Sequence, residues 1–335
     1  MDLKLESFTR LYPDLLYPGK NDRDPEGGNP AVAARYMLDT LNPLSWRRLG
    51  THPATTTVMP AWTFFVAPML GAIARRVRKN GGRVVMIVHN VADHDRGGWK
   101  ARLMNWQLKA ADGFITHTEE LARELRDAGH LQPITVVSHP PYADFPEAKG
   151  TLPRTHRLEL LCFGLVRSYK GVDIALKSLA SAAINDVRLT IAGEIWNDRE
   201  ELLALAASEE LAGKVEIIDR YVSDQETAEL FARCDAVVAP YRAVTGSGVL
   251  ALASRYRRPV VVSDLPGFAG LVDHGRTGWL FPVGDDAALA HLLRNTITRE
   301  AALAMNANLE QTGDGNDWDK YANAVLALAQ PERRI

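Results

Sequence analysis

The stretch Phe163-Gly164-Leu165-Val166-Arg167-Ser168-Tyr169-Lys170-Gly171 sets two cations, Arg167 and Lys170, between two glycines. It follows an apolar run that reads as a strand and precedes Leu and Ala at helical spacing. Such a turn suits an anion, because a helix N-terminus offers unpaired N–H groups and positive potential, and fixed cations add charge-assisted contacts. In outline this is a diphosphate site; the alternative for the loop alone is a solvated basic turn. A second turn, Pro240-Tyr241-Arg242-Ala243-Val244-Thr245-Gly246-Ser247-Gly248-Val249, also lies between a strand-like run and a helix-like one. Its small residues let backbone N–H groups approach a phosphate closely. In a parallel sheet both turns fall at the carboxyl ends of the strands, where ligands of such sheets bind.

A competing reading takes Gly246-Ser247-Gly248-Val249-Leu250-Ala251 as a G-x-G-x-x-A dinucleotide fingerprint, with Asp264 near the acidic position. That would make a dehydrogenase. The fingerprint requires its first glycine directly after the strand, whereas Pro240 to Thr245 intervene here. Among the histidines, His89 ends the strand-like run at 83–89 and His94 lies in the next loop. Each could serve as acid, base or hydrogen-bond donor, or make a structural hydrogen bond. His117 and His139 also end strand-like runs and read as structural. No Cys or His spacing points to a metal site, and Arg167 with Lys170 could supply the charge that a metal supplies elsewhere.

Positioning these turns requires a regular α/β scaffold. From residue 158 on, LELLCFG, VRLTIAG, VEIID, AVVAPY, PVVVSD and GWLFPV read as strands of a parallel sheet. Helices are expected at 171–183, 198–207, 224–233, 248–256 and 285–295, with Asp224 and Asp285 as N-caps. The first half carries strand patterns at 83–89, 113–116 and 134–138 and helix patterns at 62–80, 98–111 and 118–128. The polar segment 147–157, with Pro and Gly, places a linker. The expected organisation is a first domain over 1–150, a second over 151–312, and a final helix within 313–335 packing back across the junction.

A hydrophobic fraction of 46% with 24% charged residues is that of a globular protein, so nearly the whole chain should fold. A net charge of −2 leaves no global basic field, which argues against nucleic acid as a partner. Cys162 and Cys234 sit in apolar runs and read as buried reduced thiols, and a cytoplasmic location is expected. One surface hypothesis stands apart. Met59 to Ala74 is uncharged and precedes Arg75-Arg76-Val77-Arg78-Lys79, while Trp99, Leu103 and Trp106 share a helical spacing beside Lys100, Arg102 and Lys109. Contact with an anionic membrane surface and burial as an ordinary domain helix with a basic last turn both fit 62–80.

Together the motifs resemble a known family. Gly164…Arg167…Lys170-Gly171, Ala192-Gly193-Glu194, Arg220-Tyr221-Val222, Cys234 to Tyr241, Ser247-Gly248-Val249, Arg258-Pro259-Val260-Val261 and Gly275 to Leu280 make residues 158–295 similar to the donor domain of the large retaining glycosyltransferase family that includes sucrose synthases and many bacterial mannosyl- and glucosyltransferases. Tyr12-Pro13, Leu16 to Lys20 and Val88-His89-Asn90…His94 resemble its exopolysaccharide-building branch. The resemblance implies GT-B architecture, an α/β fold of two Rossmann-like parallel-sheet domains facing a cleft. It also implies transfer of a hexose, with retention, from a UDP- or GDP-sugar to a saccharide or lipid-linked saccharide, with no cofactor or metal. The diphosphate would be bound by Gly164, Arg167, Lys170, Ser247, Gly248 and Val249, and the nucleoside by Gly193, Arg220, Tyr221, Val222 and Tyr241. His89, Asn90 and His94 would face the acceptor, with His89, Arg167 and Lys170 as the catalytic groups.

Two departures accompany the resemblance. The family's usual pair of glutamates, one near the donor sugar and one on the ribose, would fall at Val244 and Leu252, and both are absent. The chain also begins at what looks like the family's second strand, Leu3 to Ser7, so that about one βα unit is expected to be missing, through a wrongly assigned start or a shortened form. A nucleotide-sugar-binding protein without turnover, or an epimerase of the same architecture, are the alternative functions.

Overall fold

In the computed structural model the described residues are 43–51, 55–91, 98–140, 142, 145–244, 247–268, 270–312 and 317–330. The expected strand at Leu3 to Ser7, the N-terminal motif residues, His94, Thr245 and Gly246 lie outside them. The chain forms two units, one running to His139 and resuming at Trp318, the other spanning Pro140–Asp317.

The first unit contains α1 (Pro43–Gly50), β1 (Thr56–Ala61), α2 (Ala67–Lys79), β2 (Arg83–Val88), α3 (Gly98–Leu108), β3 (Gly113–Thr116), α4 (Glu119–Asp127) and β4 (Ile134–Val136). Its strands pair in the order β1-β2-β3-β4, all parallel. Parallel neighbours need crossovers, which the intervening helices supply. Thr118 caps α4 by accepting from the Leu121 N–H at 3.2 Å, and Glu119 and Glu120 complement the helix dipole.

The apolar run Met59 to Ala74 divides between two elements. Met59 to Ala61 close β1, and α2 begins only at Ala67, five residues later than the pattern at 62–80 placed it. The apolar face of α2, Met69, Leu70, Ile73, Ala74 and Val77, is buried in the unit's core, so α2 is a domain helix with a basic last turn. Trp106 packs onto α2 as well, where a Cβ on Gly71 would strike its ring and the Arg75 guanidinium lies 3.7 Å from the ring centroid. The helix α11 (Asp317–Ala329) completes this unit, with Tyr321, Val325 and Leu328 against Val85 and Ile115.

The second unit contains β5 (Leu158–Phe163), α5 (Val172–Ala182), β6 (Val187–Ala192), α6 (Arg199–Ala206), β7 (Val215–Ile218), α7 (Asp224–Arg233), β8 (Ala236–Ala239), α8 (Gly248–Arg255), β9 (Val260–Ser263), β10 (Gly278–Phe281), α9 (Asp286–Asn295) and α10 (Arg299–Thr312). The sheet order is β10-β9-β8-β5-β6-β7, all parallel. The chain winds outward from β5 through β6 to β7, then returns to β8 on the other side. The topological switch point, where open α/β sheets hold ligands, therefore lies between the carboxyl ends of β5 and β8. Asp285 caps α9 as expected, accepting from the Ala288 N–H at 2.8 Å. The cap of α7 is Ser223 rather than Asp224, which stands one residue inside the helix.

The polar segment 147–157 is not free between the units. Arg154 makes two hydrogen bonds to the buried Asp235, at 3.0 and 2.7 Å, and Tyr256 Oη donates to Pro146 O at 2.8 Å. These ties explain why the second unit begins at Pro140, ahead of the linker read from composition.

Candidate functional site

The two turns singled out by residue type meet at the switch point. β5 ends at Phe163; Gly164 follows with φ +83°, and a short 3-10 turn, Ser168–Lys170, leads to Gly171. Gly171 has φ +63°, and a Cβ there would lie 2.0 Å from Pro240 O, so only glycine lets the first turn pass under the second. Arg242 clamps the pair: its backbone N–H donates to Tyr169 O at 2.7 Å and its guanidinium binds both Asp173 oxygens at 2.8 Å. That bidentate contact holds the Asp173 carboxyl below its ordinary pKa. Sequence reading placed Arg242 in the loop without assigning it this role.

A cavity of about 340 Å³ opens between the turns, lined by Lys170, Tyr241, Ser247, Gly248 and Val249 and by several aromatic rings. Lys170 is only 9% exposed. Its Nζ donates to Phe163 O at 3.1 Å and stands 5.7 Å from the Tyr241 ring centroid. Among the described residues no carboxylate lies at ion-pair distance from it, and burial lowers its pKa to about 8. Ser247 occupies the N-cap position of α8 without a side-chain cap bond, and Gly248 and Val249 open the helix, where backbone N–H groups lack intrahelical acceptors. The cavity thus brings a buried cation next to the first amides of a helix. Arg167, in the same turn, is exposed and outside the cavity lining, with its guanidinium 6.0 Å from the Trp196 ring centroid.

The other expected donor-site residues are dispersed. Tyr241 lines the cavity, and Gly193 packs against Gly164 at the end of β6. Arg220 is engaged by Glu226 and by its neighbour's carbonyl, Tyr221 is 38% exposed, and Val222 is buried in the unit's core; none of these three lines the cavity. Leu252, at the position of the family's ribose glutamate, does line it as an apolar wall.

In the first unit three histidines gather at the carboxyl edge of the sheet. His89 lies 5.1 Å from His117, and His117 lies 5.0 Å from His139, centroid to centroid, while Tyr321 of α11 stacks on His117 at 5.9 Å. The His117 Nδ1 contacts Val137 O at 3.2 Å and must carry the proton, since a carbonyl only accepts. Burial, and then the neighbouring His117 and His139, push His89 down to about 4; burial also lowers His117. At neutral pH His89 is uncharged, with one ring nitrogen a hydrogen-bond donor and the other an acceptor. Asn90 donates through Nδ2 to Trp62 O at 3.0 Å. His117 and His139 read as structural from sequence, yet they follow β3 and β4 as His89 follows β2, and equivalent strand ends of a parallel sheet share one edge. Among the described residues no group of three or more His, Cys, Asp or Glu is arranged to hold a metal ion.

The chain thus folds as two Rossmann-like units with all-parallel sheets, the fold class of GT-B proteins. Residues 157–299 match the family model described as glycosyl transferases group 1. The GDP-mannose:glycolipid 4-beta-D-mannosyltransferase of Xanthomonas campestris pv. campestris is 29% identical over 212 residues, covering 62% of this chain and 57% of the relative. The phosphatidyl-myo-inositol mannosyltransferase of Mycobacterium leprae is 32% identical over 166 residues, covering 48% and 42% respectively. The chain thus spans about half the length of the curated relatives it matches. The structure of Anabaena HepE in complex with UDP and glucose superposes with a TM-score of 0.70 at 18% identity, covering 87% of this chain and 83% of that one, a likeness of fold.

Proposed function

We propose that the protein is a glycosyltransferase that moves a hexose from a UDP- or GDP-sugar to the hydroxyl of a saccharide or lipid-linked saccharide, in glycolipid or exopolysaccharide assembly. The observation that carries this reading is Lys170, a buried cation without a carboxylate partner among the described residues, in a cavity edged by the start of α8. In the reaction the bond from the anomeric carbon to the diphosphate oxygen breaks, and a bond to the acceptor oxygen forms. Lys170, Arg167 and the amides of Gly248 and Val249 stabilise the negative charge on the departing diphosphate. The role proposed for the neutral His89 is to accept a hydrogen bond or the proton of the acceptor hydroxyl. The fixed cations make a metal unnecessary for diphosphate binding. Contact with anionic lipid is proposed for the exposed face of α3, and the cytoplasm as the compartment.

Retention follows from the family resemblance. The 4-beta-D-mannosyl product in the name of the Xanthomonas relative speaks for inversion if the sugar leaves an α-linked diphosphate. The anomeric configuration of the product, read by NMR, decides between them.

Thermal-shift and calorimetric titrations test the binding reading directly, because a ligand that binds only the native state raises its stability. UDP or GDP should stabilise the protein well beyond uridine or guanosine, and EDTA should leave the shift intact. Equal shifts for nucleoside and diphosphate would overturn the assignment; loss with EDTA, restored by a divalent ion, would overturn metal independence. The apolar Leu252 in the cavity wall favours a second reading, nucleotide-sugar binding without turnover. Transfer of labelled sugar to an acceptor rules that out, and conversion of the donor alone would identify an epimerase.

A further inference from the structure

Tyr142 stands in a segment that composition assigned to the first half of the chain, yet it forms part of the donor cavity. The neighbouring backbone is fastened to the helix that follows the second anion loop. Arg255 donates to Phe145 O at 3.1 Å and to Glu147 at 2.8 Å, and Tyr256 Oη holds Pro146 O. The rings of Tyr142 and Phe145 pack with centroids 5.5 Å apart, and both line the cavity. This packing directs the Tyr142 hydroxyl to the start of α8. A Cβ built on Gly248 would lie 2.9 Å from Tyr142 Oη but 3.8 Å from the nearest ring carbons. The hydroxyl therefore occupies space that only a glycine leaves open, beside the helix N–H groups and in the same cavity as Lys170.

We propose that Tyr142 is a further ligand-binding residue of the donor site, its hydroxyl donating a hydrogen bond to a phosphate oxygen held by Lys170 and by the amides of Gly248 and Val249. A phenol can donate to phosphate while accepting from another group, and a charged acceptor strengthens the bond. The absence of a side chain at position 248 leaves room for this hydroxyl. The proposal rests on the diphosphate reading of the cavity and adds to it a contact from outside both glycine-bearing turns.

Isothermal titration of the full chain with inorganic pyrophosphate, then with UDP and GDP, tests it. Tyr142→Phe keeps the ring on Phe145 and should weaken pyrophosphate binding about tenfold or more, the loss expected for one hydrogen bond to a charged group. Gly248→Ala pushes a methyl group into the hydroxyl and should weaken binding in the native background. Added to Tyr142→Phe it should cost little more, because the ring carbons stand at ordinary contact distance. Lys170→Ala is the reference. If it loses binding while Tyr142→Phe binds as the native protein does, the Tyr142 contact is overturned and the diphosphate site stands. If neither variant changes affinity, the diphosphate reading falls with it. Additive losses in the double variant would also overturn the proposal, since they would show that the two positions do not share the contact.

Discussion

Lys170 is costly in the ligand-free protein. Its pKa of about 8 lies below the ordinary value of 10.5, so at neutral pH burial of the charge destabilises the fold, and that loss is recovered as pH rises from about 8 to 10.5. An anion bound in the cavity, as proposed for the diphosphate, would offset that desolvation. The same linkage predicts how binding responds to pH. Binding of a diphosphate raises the Lys170 pKa, so above about 8 it must take up a proton, and affinity should fall about tenfold for each pH unit beyond that point. Titration of UDP against the native protein and Lys170→Met checks this, since the difference between the two removes the ligand's own ionisation. The native affinity should converge on that of the variant as pH rises; parallel profiles would show that Lys170 does not meet the phosphate. His89 follows the opposite logic. Held at about 4, it is uncharged throughout the neutral range and suited to hydrogen bonding rather than to holding a proton.

At the scale of elements, the site depends on two loops from opposite sides of the switch point being locked together. Gly171 permits the crossing beneath Pro240, and the Arg242–Asp173 pair fixes its geometry. The first unit has its own lock in α11, far along the chain from the strands it covers. Leu328 is buried against Val85 and Ile115, and its side chain reaches to 3.3 Å from where a Cβ on Gly113 would stand. Leu328→Ala should destabilise this unit by about 2–3 kcal/mol through lost burial and a residual cavity. Urea denaturation of the full chain should show an earlier transition for the first unit, with the second little changed. An unchanged midpoint would mean that α11 contributes no stability to the sheet.

Across the whole molecule, a net charge of −2 makes any attraction to anionic lipid a local matter. The described residues contain no helix long and apolar enough to cross a membrane. Of the aromatic residues on α3, Trp106 is 39% exposed but committed to α2, whereas Trp99 is 59% exposed beside Lys100 and Arg102. A surface of this kind gains about 1 kcal/mol from each Lys or Arg near anionic headgroups. Co-sedimentation with phosphatidylglycerol vesicles, but not with phosphatidylcholine vesicles, is the expected outcome, and Trp99→Ala combined with Arg102→Glu should abolish it. Equal recovery on both vesicle types, or no effect of the double variant, would remove α3 as the contact.

The sequence by itself determined the second unit almost element by element. Strands of a parallel sheet are buried on both faces and read as continuous apolar runs, and its turns carry Gly, Pro and Asp where the backbone must change direction. It also marked the two turns of cations and glycines at strand-to-helix junctions, whose residues line one cavity in the structure. In the first unit, β1 escaped notice because Pro60 breaks the pattern, a residue tolerated at the end of the described sheet, where its missing N–H removes no ladder bond. What only the tertiary structure decided were contacts between segments distant along the chain: Arg242 with Asp173, Tyr142 with Gly248, and His89 with His117, His139 and Tyr321. Each depends on which strand lies beside which. Local periodicity reports the face a residue buries, but strand order is fixed by the packing of whole elements, and that order brings these side chains together.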